Sequence, residues 1–139
     1  MKYLLQIFLL FLFTMTLIAQ DSENEVKKQL NKLIELSKSK NYDKAALLIA
    51  YNGEIKERIN KDSFDSTKKN ELEKVKRICK KISALIDLSS KYEISNYYVD
   101  KNNPEIHIVE ITFTSGTQNL VTQFSFIRNE KGFLLTNMN

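Results

Sequence analysis

Cysteine, histidine, proline, glycine and tryptophan are scarce or missing in this sequence. It has one cysteine (Cys79), one histidine (His107), one proline (Pro104), three glycines and no tryptophan. A single cysteine cannot form an intramolecular disulfide, so a packed core must hold the folded chain together. One histidine without companion cysteines argues against a zinc site, and isolated glycines at predicted turns do not make a phosphate-binding loop. We therefore expect neither a metal nor a cofactor.

The usual signatures of catalysis are also missing. No serine lies in a nucleophile-elbow pattern. Cys79 has no neighbouring histidine or cationic pocket in the sequence that would lower the pKa of its thiol. It lies on the apolar stripe of a predicted helix, so it is predicted to be a small buried hydrophobic side chain. The sequence therefore favours a protein that is not an enzyme.

The excess of basic residues over acidic residues is small. The chain has 21 Lys and Arg against 17 Asp and Glu, a formal net charge of +4. This balance does not by itself indicate a nucleic-acid or membrane partner. Basic residues concentrate between positions 68 and 81, on one face of a predicted helix, where an anionic partner has access to them; most such faces are simply solvated. No aromatic residues interleave with them, as binding of single-stranded nucleic acid requires, so we expect no nucleic-acid partner.

The N-terminal segment has the pattern of an export signal. Lys2 is followed by an apolar run that ends at Ala19, and a polar sequence starts at Asp21. These features are typical of a secretory signal peptide, here residues 1–19, with cleavage after Ala19. The alternative is an uncleaved membrane anchor, but the run is shorter than the roughly 20 residues of a comfortable span. We expect residues 20–139 to form one exported domain, periplasmic or secreted, without membrane contact after cleavage.

Three helices are predicted in the first half of the remaining chain. They cover residues 22–40, residues 44–51, and the segment from 65 or 66 to about 89. Ser22 and Glu25 form a capping box before the first helix, and Asn41 or Asp43 is the N-cap of the second. Residues 54–63 are ambiguous, either continuing a helix or packing as a loop across the mouth of the sheet.

Four strands are predicted in the second half of the chain. They cover residues 92–100, 105–114, 119–128 and 133–138, separated by clusters of turn formers. Short connections predict an antiparallel meander. In the second strand, alternation places His107, Val109, Ile111 and Phe113 on one face. Neither face of the sheet is cleanly polar, which indicates a sheet that is covered on one side and partly buried or curled on the other.

The predicted class is therefore α+β, with three helices packed on a curved four-stranded antiparallel sheet. This layout resembles small secreted domains of the NTF2-like (cystatin-like) superfamily. The resemblance depends on residues 40–46 at a helix junction, residues 51–53 and residues 131–135; the end of the signal peptide resembles those of exported Bacteroidetes proteins. It implies a cone of helices against a curved sheet, often with a pocket. Some members of this superfamily are isomerases or dehydratases, and others are binding, dimerisation or immunity domains.

Candidate binding residues lie where the mouth of such a cone is expected. They are Tyr51, Tyr97, Tyr98 and His107. An acid–base enzyme would pair His107 with a carboxylate, and the candidates are Asp100, Glu105 and Glu110. Glu110 is predicted on the opposite face from His107, and the other two are at a turn. Tyr97 and Tyr98 are adjacent on a strand, so one points in and one out; core packing with the hydroxyl at the rim is the more common role for both.

The leading hypothesis is an exported, non-enzymatic binding domain. It would bind a small ligand or a protein partner through the cone pocket or the outer face of the sheet, because one layer of helices cannot cover two apolar faces. Self-association as a homodimer through the sheet would explain the same pattern. Two alternatives are a pocket acid–base enzyme that uses His107 and a periplasmic immunity or inhibitor protein whose lysine-rich face docks an acidic site.

Overall fold

The computed structural model describes residues 2–139, with side chains from residue 20 onward. The predicted signal peptide, residues 1–19, lies outside the fully described part. The elements are α1 (Lys2–Lys38), α2 (Tyr42–Ala46), a 3-10 turn (Lys56–Arg58), α3 (Lys69–Asp87), β1 (Lys91–Val99), β2 (Ile106–Ser115), β3 (Gln118–Asn129) and β4 (Gly132–Met138). Helices followed by a four-stranded antiparallel sheet confirm the predicted α+β class.

The sheet is the predicted meander, with strand order β1-β2-β3-β4 and antiparallel pairing throughout. Its register places His107 opposite Phe126 and Val109 opposite Phe124. Two register shifts interrupt the ladders, one at Ser95 in β1 and one between β3 and β4 next to Phe126. Such bulges bend strands and increase their twist.

The first helix packs on the sheet through the predicted apolar stripe. Val26, Leu30 and Leu33 are fully buried. The predicted capping box does not begin the helix, because Gln20 and Asp21 are already helical and Ser22 lies within α1. A capping serine requires a non-helical backbone at its own position, so this part of the prediction is wrong.

The second helix is shorter than predicted and ends at Ala46. Its N-cap is Asn41, one of the two predicted residues, whose Oδ1 accepts a hydrogen bond from the Lys44 N–H. The chain then leaves the helix to pair with β4: the Ala50 N–H donates to the Leu135 carbonyl at 2.8 Å. Pairing with the sheet edge satisfies backbone groups that a longer helix would have satisfied internally.

The third helix starts at Lys69 rather than at Asp65 or Ser66. The Asp65 carboxylate instead accepts hydrogen bonds from the backbone N–H and the hydroxyl of Thr67, at 3.0 and 2.7 Å. This local turn competes with the helix for the same residues. Downstream, the stripe through Val75, Cys79 and Ile82 is fully buried as predicted.

One buried cluster fills the space between the helices and the inner face of the sheet. Its largest fully buried members include Phe64, Phe124, Phe126, Phe133, Leu30 and Leu33. A smaller cluster on the outer face joins Ala50, Ile127 and Leu134, with Ile106 at its edge. The segment after α2 thus covers one corner of the outer face through Ala50, whereas Val121, on the same face of β3, is exposed.

Candidate functional site

The four candidate binding residues lie at three separate places. Tyr97 and His107 meet on the inner face of the sheet, Tyr98 lies on the outer face, and Tyr51 packs beside α3. The predicted opposite orientation of Tyr97 and Tyr98 is confirmed by the register, which puts Tyr97 opposite the buried Val109. The residues therefore do not surround a common pocket.

The Tyr97–His107 pair is enclosed by the core. The Tyr97 hydroxyl lies 2.7 Å from His107 Nδ1, and the imidazole meets the Phe133 ring edge-on with centroids 4.7 Å apart. His107 is only 7% exposed. Burial lowers its pKa, and the charge of Arg128 lowers it further. Burial also raises the pKa of Tyr97, with a smaller contribution from Glu23. The imidazole is therefore neutral at neutral pH, and the phenol is protonated.

No carboxylate hydrogen-bonds to His107 among the residues whose side chains are described. Asp100 Oδ1 accepts instead from the backbone N–H groups of Asn102 and Asn103. On the outer face, Glu110 accepts from the Tyr98 hydroxyl at 3.3 Å and from Gln123 at 3.0 Å. Burial and the adjacent carboxylate raise the pKa of Tyr98. The histidine and the carboxylates of a pocket acid–base enzyme are thus not assembled.

Acid should destabilise the protein through His107. Because its pKa is lower in the folded than in the unfolded state, the unfolded chain binds more protons just below pH 6.5, and stability falls as the pH falls. A single group limits the slope to about 1.4 kcal/mol per pH unit. Urea unfolding between about pH 7 and 5 should show this loss, since carboxylates titrate mostly below that range. His107→Gln should remove most of the slope in this range. If the unmodified protein and His107→Gln lost stability equally steeply between about pH 7 and 5, His107 would not be the group responsible.

Tyr51 belongs to a polar cluster that ties residues 51–64 to α3. The Arg58 guanidinium lies 4.0 Å from the centre of the Tyr51 ring and binds both oxygens of Glu71, at 2.7 and 3.2 Å. Glu71 also accepts the Asp65 N–H at 2.7 Å. The hydrogen bond from Arg58 lowers the pKa of Glu71, and the same contact raises the pKa of Arg58. The ambiguous segment 54–63 is therefore a loop with a short 3-10 turn. Arg58 ties it to α3, and backbone hydrogen bonds of Asp62 and Asn60 tie it to Tyr51.

The members of this cluster are not recognisable from the sequence patterns. Arg58 and Glu71 are 13 residues apart, and no periodicity connects a loop residue with a helix residue. One signal was present: Glu71 lies four residues before Val75, on the same helical stripe as Cys79. An acidic residue on a buried stripe needs a partner.

A basic groove runs beside the same loop. Two depressions of about 580 and 260 Å³ lie on this side of α3, the first bounded by Lys74 and Ile55, the second by Arg77, Lys81 and Asn137. Lys74, Arg77 and Lys81 follow the i, i+3, i+7 spacing that places side chains in one row along a helix. We call this row and the two depressions the basic groove.

The positive charge of the protein is concentrated at positions 68–81, the segment that supplies one wall of this groove. Positions 68–81 hold seven basic and two acidic residues, a net charge of +5 against +4 for the whole chain, so the remainder carries −1. Lys76 pairs with Glu73, and Lys68 lies near Asp65 and Glu71. Within the described residues, Lys69, Lys74, Arg77 and Lys80 form no ion pair, and all four are exposed. Lys69, Lys74 and Arg77 line the depressions and are therefore available there to an anionic partner, whereas Lys76 and Lys80 line neither depression.

Other kinds of site are not apparent in the described part of the chain. Its His, Cys, Asp and Glu side chains do not come together in any group of three able to hold a metal ion. None of the helices, over the residues for which side chains are described, is long and apolar enough to cross a membrane.

Comparison with known proteins adds no functional assignment. No family model matches the chain, and no curated protein is detectably similar to it. The class defined by fold and site is thus an α+β domain with a filled core and a basic groove on its third helix.

Proposed function

We propose that this protein is an exported, non-enzymatic binding domain that docks an acidic segment of a protein partner in the basic groove. The observation that carries the proposal is the excess of basic residues that line the two depressions. Five are basic (Lys68, Lys69, Lys74, Arg77 and Lys81) and two are acidic (Glu54 and Glu71). Unpaired exposed cations repel one another, and a carboxylate-bearing segment would relieve that repulsion. The proposal develops the hypothesis of a periplasmic immunity or inhibitor protein whose lysine-rich face docks an acidic site on its partner.

The geometry supports a polypeptide partner better than a nucleic acid. The groove combines cations with apolar side chains, since Ile55 and Ile78 line it together with the buried Tyr51. Apolar and charged contacts side by side suit a peptide segment, whereas single-stranded nucleic acid requires exposed aromatic rings on which bases stack. Tyr51 is not available for stacking, because Arg58 covers one side of its ring and Phe64 packs against it at 5.6 Å.

The alternative of a pocket enzyme has weaker support. His107 is held by Tyr97 in the core, and Phe113, Phe124 and Cys79 are buried in the cluster between the helices and the sheet. A substrate would have to displace these side chains, and closely packed cores resist such displacement. Binding of a small ligand inside the cone meets the same obstacle.

Export and membership of the NTF2-like superfamily are parts of the same proposal. Export is supported by the signal-like pattern of residues 1–19. The NTF2-like assignment is supported by helices that precede a four-stranded meander and by two bulges, which would curve the sheet.

Charge reversal in the groove should weaken binding of an acidic peptide. In the triple variant Lys74→Glu, Arg77→Glu, Lys81→Glu, affinity for a glutamate-rich synthetic peptide should fall by about tenfold or more, because three attractions become repulsions. Isothermal titration calorimetry at low salt would measure the change. For the unmodified protein, raising the ionic strength from about 0.05 to 0.3 M should weaken binding, since the charges are exposed and screened.

A matched triple on α1 is the control for net charge alone. Lys28, Lys32 and Lys38 are exposed and lie outside the groove, so their replacement by glutamate should leave most of the affinity. Equal losses in both triples, or tighter binding of an oligothymidylate of the same charge, would overturn the proposal. So would the absence of peptide binding by the unmodified protein at low salt.

A further inference from the structure

β1 forms an open edge of the sheet. The strand order leaves β1 and β4 at the two edges, but β4 is covered because Leu135 exchanges backbone hydrogen bonds with Leu48 and Ala50. β1 pairs only with β2 among the described residues, and most of its nine residues are exposed. It therefore presents backbone N–H and C=O groups to which another strand can add. The Tyr97 N–H donates to Asn96 Oδ1 at 2.9 Å, and an added strand would replace that side-chain acceptor.

The side chains along the inner face of this edge are apolar or aromatic. They are Tyr92, Ile94, Tyr97 and Val99, as their pairing with inner-face residues of β2 shows. Tyr92 and Val99, near the two ends, are each 39% exposed. Monomeric proteins commonly guard sheet edges with proline, charged side chains, β-bulges or a covering segment. β1 has the bulge at Ser95 and the charged Lys91 and Glu93 on its outer row. Its inner row contains neither proline nor charge, and its edge has no covering segment within the described residues.

Because of the bulge at Ser95, this row of side chains can pair with the same row of a second copy of the chain. Pairing shifts register between Ile94 and Asn96, so the inner face holds even-numbered residues before the bulge and odd-numbered residues after it. Two β1 strands that run antiparallel about a twofold axis between Ser95 and Asn96 would then match inner face with inner face. A shift by one residue would place inner residues opposite outer ones.

In this register, the side chains that face each other across the two β1 strands are also chemically compatible. Tyr92 of one copy lies opposite Val99 of the other, and Ile94 opposite Tyr97. Pairs of aromatic and β-branched residues stabilise antiparallel strands. At each end of the strand, Lys91 would lie opposite Asp100 of the second copy, which adds attraction between opposite charges.

We propose that two copies of this chain form a homodimer through β1, in this register, with one continuous eight-stranded sheet. A twofold interface requires a self-complementary surface, and the spacing of apolar and charged residues around Ser95 meets that requirement. The proposal is independent of the basic groove, which lies on α3.

Cysteine pairs test the register directly. Directly opposed residues in antiparallel strands are close enough for a disulfide. The protein should be expressed from its full-length sequence, and Cys79 does not interfere because it is buried. A mixture of the single variants Glu93→Cys and Tyr98→Cys should give a cross-linked heterodimer under mild oxidation. A mixture of Glu93→Cys with Val121→Cys, which places the second thiol at an exposed position on β3, should give several-fold less.

Sedimentation tests the dimer without cysteines. The unmodified protein should sediment as a dimer at about 0.1 mM, a concentration that detects micromolar dissociation constants. The double variant Tyr92→Lys, Val99→Lys should sediment as a monomer with an unchanged circular dichroism spectrum. Leu120→Lys, an exposed position away from this edge, should leave the dimer intact. A monomeric unmodified protein, a dimer that survives both lysines, or equal cross-linking in the two mixtures would overturn the proposal.

Discussion

Replacing Phe124 by alanine should destabilise the protein by about 3–5 kcal/mol, the usual cost of removing a buried phenylalanine. Phe124 has no exposed surface and lies at the centre of the sheet, opposite Val109 on β2 and Met138 on β4. Truncation removes apolar contacts and leaves a cavity that rigid strands on both sides cannot close. Urea unfolding followed by circular dichroism would measure the loss of unfolding free energy.

Leu120 is the matched control for this substitution. It lies on the same strand and, four residues away, on the same face, but it is 53% exposed. Leu120→Ala should therefore cost less than about 1 kcal/mol, since only part of its surface is removed from water on folding. Similar losses of unfolding free energy in Phe124→Ala and Leu120→Ala would mean that the core is not centred on Phe124.

Replacing Glu71 by alanine should be the second most damaging change, with a loss of about 2–4 kcal/mol. Breaking a fully buried ion pair costs about 3–5 kcal/mol, and the 11% and 18% exposure of the Glu71 and Arg58 side chains reduces that cost by screening. The variant leaves the Arg58 guanidinium with only the more exposed Asp62 carboxylate, at 3.4 Å, and leaves the Asp65 N–H without its acceptor. The same unfolding measurement would quantify the loss.

The pH dependence of this variant provides an independent check. The pKa of Glu71 is lowered in the folded state, so its contribution to stability is present above about pH 4.5 and is lost as the pH falls through the folded-state pKa. The difference in stability between the unmodified protein and Glu71→Ala should therefore shrink in acid. A difference that stays constant down to about pH 3 would contradict the assignment of Glu71 as an ionised partner.

Glu73 is the control for the ion pair. Glu73 binds Lys76 at 2.8 Å, close to the 2.7 Å between Glu71 and Arg58, but this pair lies on the exposed surface of α3. Glu73→Ala should cost less than about 0.5 kcal/mol. Equal losses for Glu71→Ala and Glu73→Ala would show that burial does not determine the value of these contacts.

The sequence by itself determined the sheet and the faces of its strands. All four strands start and end within about two residues of their predicted bounds, because alternation and turn formers such as Pro104 and Gly132 act over a few neighbouring residues. The shared face of His107 and Val109 and the burial of Cys79 followed from the same periodicities, whereas the direction of that face, toward the helices, came from the structure.

Only the tertiary structure decided where the helices end and which polar groups meet. α2 stops at Ala46 because β4 offers backbone partners to the following residues, and α3 starts late because Asp65 closes a turn with Thr67. The Arg58–Glu71 and Tyr97–His107 pairs likewise join residues from different elements. Periodicity assigns a side chain to a face, but it carries no information about which distant residue that face will meet. That choice is made by packing, where a buried polar group must find its partner in another element.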